Sequence, residues 1–350
     1  MINSLPLKNA NPDLHMKKYL HLTNLRLITL IFVSSIITVP IFSQSLIVGN
    51  EKARVEVGIN IGPSFFLGDL GGHRGKGTTF VKDLNLPLTQ LWKGIFAVAY
   101  PNEWIGVRFA AGTGKLEGQD KIISTKGINE LWRKQRNLDF RTNISEAYGA
   151  IELFPLMLLH SGDEDYKPRL RPYGVIGVGV FHFNPQGSLT DSNGVTTWYN
   201  LKPLHTEGEG FPEYPNRKDY SLTQVNIPMG FGVKYYLSER VNISFEILHR
   251  KTFTDYVDDV STTYIDPNLF DKYLSPQNAR LARQLSDKSN LLYVPGATRL
   301  SFAPGEQRGD PTQNDAYFSM LLKFAIRLGP IFDNIYDRNA ARHVRCPARF

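Results

Sequence analysis

From Val55 to Leu67 the side chains alternate. Val55, Val57, Ile59, Ile61, Phe65 and Leu67 point one way, and Glu56, Gly58, Asn60, Gly62 and Ser64 the other. Successive side chains of a strand face opposite sides, so this segment makes a ribbon that is apolar on one face and small or polar on the other. One such ribbon suits a soluble sandwich as well as a membrane barrel. Eight of them behind an export signal suit a barrel whose apolar face meets lipid.

The pattern recurs over 53–68, 91–100, 104–114, 144–154, 172–183, 222–237, 240–250 and 316–328. The clearest copy sets Val225, Ile227, Met229, Phe231, Val233 and Tyr235 against Gln224, Asn226, Gly230, Gly232 and Lys234. The second sets Trp92, Phe96, Val98 and Tyr100 against Lys93, Ala97 and Ala99, and we assign its lysine to the lumen. The fifth is rich in Gly and Val, and its facing stays open. These lengths suit tilted membrane strands of about 9–11 residues. No segment after the N-terminal apolar run reaches the roughly 20 apolar residues of a spanning helix, so membrane residence would require a closed barrel.

The connections give a second argument. Those at 101–103, 155–171 and 238–239 are short, whereas those at 69–90, 115–143, 184–221 and 251–315 are long. Outer-membrane barrels have this asymmetry, with tight periplasmic turns and long external loops. The expected fold is therefore an all-β, eight-stranded antiparallel transmembrane β-barrel occupying 45–330. Ile128–Asn137 and Gln277–Asp287 have helix-like composition within the loops. The loop 184–221 is rich in turn formers and aromatics, including Trp198, Tyr199, Phe211 and Tyr214.

The first 44 residues read as a signal peptide. Lys17, Lys18 and Arg26 precede the apolar run Leu27–Phe42, and Ser43-Gln44-Ser45 follows as a cleavage site. The alternative is an uncleaved anchor. Met16 opens a complete signal by itself and is an alternative start. The formal charge of +7 includes four basic residues and one acid of that segment, so the exported chain is only mildly basic, with interspersed signs. That pattern points to no nucleic-acid partner. The single cysteine, Cys346, allows no intrachain disulfide and no cysteine-based zinc site. Residues 331–350 form an expected periplasmic tail.

The expected lumenal charges are Glu56, Lys93, Arg108, Glu146, Glu152, Lys234, Glu246, Arg250, Lys323 and Arg327. An eight-stranded barrel has an interior that side chains fill, so these charges should pair and close the lumen. A narrow ion or solute path is the competing reading.

Motifs for chemistry fail on inspection. Gly71–Thr79 lacks the leading glycine and the Ser/Thr of a phosphate loop, and Gly177-Val178-Gly179 lacks the third glycine of a dinucleotide fingerprint. Asp255, Asp258, Asp259 and Asp266 offer oxygens for a cation without EF-hand spacing, and otherwise read as a hydrogen-bonded loop base. His182, His205 and His249 are scattered and have no placed nucleophile. We expect no catalytic, metal or cofactor site.

Four stretches carry a resemblance: Ser64–Leu70 (SFFLGDL), Pro172–Pro185 (PYGVIGVGVFHFNP), Leu204–Gly210 (LHTEGEG) and Arg250–Asp266 (RKTFTDYVDDVSTTYID). Together they resemble the small outer-membrane β-barrel family widespread in Bacteroidota, which includes PorG of type IX secretion. The resemblance implies a non-enzymatic barrel of about eight strands embedded in outer-membrane lipid. For PorG-like members it implies contact with periplasmic ring proteins of the secretion machine. On that reading the turn 155–171 and the tail 331–350 are the docking surfaces. The alternatives are a surface adhesin or receptor acting through the long loops, or a narrow channel.

Overall fold

The computed structural model describes residues 54–70, 88–123, 128–161, 166, 168–292, 294–295 and 301–328. The expected signal peptide, the loop Gly71–Thr79 and the tail 331–350 lie outside the described residues.

Five strands lead: β1 (Arg54–Leu67), β2 (Gln90–Asn102), β3 (Ile105–Gln119), β4 (Asp139–Leu153) and β5 (Leu170–His182). β6 (Gln186–Thr190) and β7 (Thr196–Asn200) form a hairpin outside the barrel wall, and β8 (Thr223–Tyr236), β9 (Val241–Thr252) and β10 (Ala316–Leu328) complete the wall. Every barrel strand pairs antiparallel with its two neighbours. β10 returns to β1 through pairs such as Ile59 with Phe324, and β3 and β4 pair over their full lengths, so the sheet closes with no free edge. This is the up-and-down eight-stranded barrel that the alternation implied.

The wall is inside-out relative to a soluble protein. Ile59, Ile95, Phe109, Ile151, Val178, Phe231, Phe245 and Phe324 give each barrel strand an exposed apolar side chain. Phe109 is 68% exposed while its chain neighbour Arg108 is 0%. Water would penalise so wide an apolar band, whereas hydrocarbon accepts it. Among the described residues no helix is long and apolar enough to cross a membrane. The strands do the crossing.

The structure settles the fifth segment and reverses the second. In β5, Tyr173, Val175 and Phe181 face inward, and Ile176, Val178 and Val180 outward. In β2, Trp92, Phe96, Val98 and Tyr100 fill the lumen, while Leu91, Lys93 and Ile95 are exposed on the outside. Both faces of β2 are apolar, so alternation alone could not orient it. Packing decides: an eight-stranded lumen needs bulk, and the large aromatics supply it. Lys93 lies three residues into β2 from its long-loop end, where a lysine stem can run along the apolar wall and lift its ammonium to the water boundary.

The lumenal aromatics sit over glycines. A Cβ added to Gly112 would fall 2.7 Å from Cζ2 of Trp92, and one added to Gly232 would fall 2.6 Å from Cζ of Tyr173. Those positions are holes for rings, and filling one overpacks the barrel. Gly112→Val is expected to destabilise the folded barrel by about 1–3 kcal/mol, measured by urea unfolding in micelles. An unchanged midpoint would show that the ring has room to move.

The long connections are ordered. α1 (Ile128–Arg136) lies between β3 and β4, and α3 (Asn268–Tyr273) and α4 (Pro276–Ser286) lie between β9 and β10. α1 and α4 match the two helical stretches read from composition. α4 starts where Ser275 Oγ accepts the Asn278 N–H at 3.4 Å and Pro276 takes the first helical position. The β6–β7 hairpin has no counterpart among the alternating segments. It turns at Asp191–Gly194, where Asp191 Oδ1 accepts the N–H groups of Asn193 and Val195 at 2.9 Å and Gly194 has φ 81°. At the opposite end the β4–β5 connection holds α2 (Pro155–Leu159).

Candidate functional site

Two buried polar systems occupy the axis of the barrel: a charge network within the lumen, and a second network under the long loops.

In the lumen, β3 aims Arg108 at two carboxylates. Its Nη1 and Nη2 donate to Glu246 on β9 at 3.0 and 2.6 Å, and its Nε donates to Glu152 on β4 at 2.7 Å. Lys323 from β10 reaches Glu246 at 3.0 Å, and Tyr173 donates to the same carboxylate at 2.7 Å. Towards the short turns, Lys234 meets Glu56 at 2.8 Å, and Tyr100 donates to Glu152 at 2.9 Å. Towards the long loops, Arg250 pairs with Glu146 at 3.2 Å, and the Asn226 amide donates to Glu146 at 2.6 Å. Aromatic faces flank the cations: the Arg250 guanidinium lies 4.6 Å from the Trp92 ring centre, and Lys323 Nζ lies 4.4 Å from Phe96.

Glu56, Glu146, Glu152 and Glu246 thus face Arg108, Lys234, Arg250 and Lys323, all buried. Signs balance, which is what makes so much buried charge tolerable. One assigned position falls elsewhere. Lys93 is on the outer wall, as described above. Arg327, half-buried near the end of β10, stands opposite Glu56 in the strand register and lines the short-turn mouth with it and with Arg54, Glu103 and Arg171. The cavity there is about 20 Å³, room for about one water. Apolar layers close the network at both ends. Phe154 and Met157 pack with Tyr100 and Tyr173 at the short turns, and Phe66, Phe140, Phe181, Phe183 and Leu321 pack together towards the long loops.

Above the second layer, the four long loops meet in a cap. Asp120 and Arg136 of the second loop form a two-pronged pair at 2.8 and 3.0 Å, and Arg136 Nη2 donates to the Asp69 carbonyl of the first at 2.7 Å. Arg308 of the fourth loop donates to Glu207 of the third at 2.9 Å and to the Asp259 carbonyl at 2.6 Å. Glu207 also accepts from the N–H groups of Ser261 and Thr262 at 2.9 and 2.8 Å. Asp259 accepts from Thr206 and Tyr220, both at 2.6 Å, and Asp258 accepts the Leu70 N–H at 3.0 Å. The acids Asp255, Asp258 and Asp259 form a loop base with Glu207 and Asp315, while Asp266 stands apart, accepting the Asn268 N–H at 3.0 Å where α3 begins. Three of the four stretches that carry the family resemblance, those at Ser64–Leu70, Leu204–Gly210 and Arg250–Asp266, meet in this base.

Acids outnumber arginines here, and burial shows in their protonation. Burial pushes the Asp255 carboxyl up to about 9, with Ser261 opposing and Asp69, Asp258 and Glu207 adding to it. Asp69 and Asp259 are pushed up to about 6 by burial, held back by Arg136 and Arg308 respectively. Burial also raises Asp258, Glu209 and Asp315.

The three histidines do not form a site. His182 and His249 lie on the outer wall of β5 and β9, and His205 is held in the cap by a 2.7 Å contact from Nδ1 to the Glu209 carbonyl. Among the described residues no group of three or more His, Cys, Asp or Glu side chains is arranged to hold a metal ion. Sequence reading missed the tyrosines that complete the lumen, Tyr100, Tyr173 and Tyr317. It also missed the cap partners Asp69, Arg136, Arg308 and Asp315. Tyr317 shares its face with Ser319 and Lys323 and was legible by parity, whereas Tyr100 and Tyr173 lie on β2 and β5, whose facing alternation does not fix. The cap pairs join residues from different loops, such as Glu207 and Arg308, and no spacing rule announces them.

The fold and the two networks define a closed, eight-stranded membrane-spanning barrel with a filled lumen and an ordered cap. No protein-family model and no curated protein matches the chain. Among solved structures, it aligns over 79% of its length with the attachment invasion locus protein Ail of Yersinia pestis, covering 97% of that chain at 6% identity and TM-score 0.30. It aligns over the same share with a major outer membrane protein of Thermus thermophilus, covering 100% of it at 11% identity and TM-score 0.35. Neisserial surface protein A is similar over 99% of its chain at 10% identity and TM-score 0.31. The class assignment rests on this chain's own strand pairing and apolar wall.

Proposed function

We propose that this is a non-enzymatic outer-membrane barrel with a structural or scaffolding role, and that it serves type IX protein secretion as a PorG-like component. The observation that carries the structural role is the lumen. Four buried carboxylates meet four buried cations between two apolar layers, so the barrel acts through its ends. The secretion assignment is supported by the resemblance of the four stretches named above. On this reading the short turns and the tail face the periplasm and meet ring proteins of the machine, while the cap faces outward.

Two measurements test it. Purified protein in planar bilayers is expected to show no stepped conductance, and stepped currents altered by Arg108 or Glu146 substitution would replace the scaffold with a channel. A pull-down in mild detergent from native outer membranes is expected to recover periplasmic ring proteins. The barrel recovered alone, with its heat-sensitive gel mobility intact, would move the function to the cap. That is where the second reading lies: an ordered cap is the platform an adhesin or receptor needs.

A further inference from the structure

Beneath the cap, Asp255 and Asp315 are 7% and 1% exposed. Among the described residues, no donor meets either oxygen of Asp255, or Oδ1 of Asp315, with hydrogen-bond geometry. Asp315 Oδ2 accepts the Val257 N–H at 2.8 Å. Asp258 beside them is fully buried, its two oxygens taken by the N–H groups of Leu70 and Val260 at 3.0 Å each. The strongest charges acting on Asp315 are the carboxylates of Asp258, Asp255 and Asp69. The arginines of the cap are engaged elsewhere, Arg136 with Asp120 and Arg308 with Glu207. An ionised carboxylate in such a place, with only the Val257 N–H at Asp315 and the Ser261 hydroxyl beside Asp255 to offset it, is costly, and a protonated one is far less so.

We propose that Asp255 and Asp315 are held as neutral acids in the closed cap, making it a proton-loaded latch that locks the four loops together in acid and loosens them as the medium turns alkaline. The charged groups that act on this pair are Asp69 of the first loop, Glu207 of the third and Asp258 of the fourth. Around these stand Arg133 and Arg136 beside Asp69, Asp120 beside Arg136, Glu209 beside Asp259 and Glu207, Tyr220 beside Asp259, Tyr256 beside Glu207, and Arg308 beside Glu207 and Asp259.

The sign follows from linkage. These acids bind protons more tightly in the closed cap than in an open one, where an aspartate titrates near 4. Below about pH 4 both states are protonated and the acids impose no penalty on closure. As pH rises from there, the open state gains by ionising and the closed state loses ground. For Asp69 and Asp259 the loss runs to about 6, and for Asp255 to about 9. Each such carboxyl changes the opening equilibrium by up to about tenfold per pH unit within its window.

Amide hydrogen exchange on the full exported chain in micelles tests this, in chelator and corrected for the intrinsic pH dependence of exchange. The reporters are the amides of Leu70, Val257 and Val260, which donate into the cluster, and the barrel amides of β9 are the internal reference. Cap protection is expected to fall at least about tenfold between pH 6 and pH 8, with β9 unchanged. Asp255→Asn keeps the shape without the charge, and is expected to raise protection at pH 8 and flatten the profile. Asp315→Asn is the second variant, and heat-sensitive gel mobility checks that each has folded. Protection that stays flat from pH 5 to pH 9 in the wild-type protein overturns the proposal. Protection restored at pH 8 by calcium alone, and lost in Asp255→Asn, also overturns it and makes the cluster a cation site.

Discussion

Replacing Arg108 by methionine is expected to destabilise the barrel by about 3–5 kcal/mol, because it strands two carboxylates in a buried lumen. Glu246 loses its two-pronged partner and Glu152 loses its shortest ion pair, with Lys323 and Lys234 left to serve them at 3.0 and 3.8 Å. The sign of the effect comes from the surplus negative charge left behind, so removing that surplus should restore stability. Arg108→Met combined with Glu152→Gln is expected to recover most of the loss, since it leaves Glu56, Glu146 and Glu246 facing Lys234, Arg250 and Lys323 with signs again balanced. Urea unfolding in micelles, followed by tryptophan fluorescence, gives both numbers. A single variant within about 1 kcal/mol of wild type would mean that water screens the network, and the filled lumen would have to be given up.

On the wall the second large effect has the opposite chemistry. Ile59 is 57% exposed and pairs with Ile95 and Phe324, which face the same way from the adjacent strands. An arginine placed in that apolar patch would have to leave water for hydrocarbon, so Ile59→Arg is expected to cost about 2–4 kcal/mol in liposomes. Asn143→Arg, at an exposed outward position towards the long-loop end of β4, is expected to cost about 1 kcal/mol or less. The contrast between the two positions matters more than either value. Equal small costs would mean that Ile59 faces water.

How much of this was legible in the sequence depended on whether each strand had two chemically different faces. β8 and β9 did, with β-branched and aromatic residues on one side and Asn226, Lys234, Glu246 and Arg250 on the other, and their orientation follows from parity. β2 did not. Its inner face carries Trp92, Phe96 and Tyr100 and its outer face Leu91 and Ile95, so Lys93 became the deciding residue and pointed the wrong way. The correction needs a quantity that no local pattern contains, the volume that eight strands enclose. Parity also puts Arg327 inward, and its place near the end of β10, opposite Glu56, sets it at the short-turn mouth of the lumen.

The cap shows the other limit. Asp255, Asp258 and Asp259 could be singled out as acids in a loop, and a hydrogen-bonded loop base was one of their two readings. Their partners could not be found, because Leu70, Thr206, Tyr220 and Arg308 come from three different loops. The helices α1 and α4 were accessible from composition. The β6–β7 hairpin depends on the Asp191–Gly194 turn, whose signal was present but lay in a segment dense with other turn formers.

The claim on which everything else depends is that the apolar face of this barrel touches lipid while the charged face is dry. The most direct measurement is spin-label accessibility in liposomes, in a Cys346→Ser background, with single cysteines at Ile59, Ile95, Phe109, Val178, Phe231 and Phe324. Outward labels on a membrane barrel should collide readily with oxygen and hardly at all with a water-soluble nickel chelate, from all six strands alike. Free access of the chelate to these positions would contradict the membrane barrel, and with it the roles assigned to the lumen and the cap.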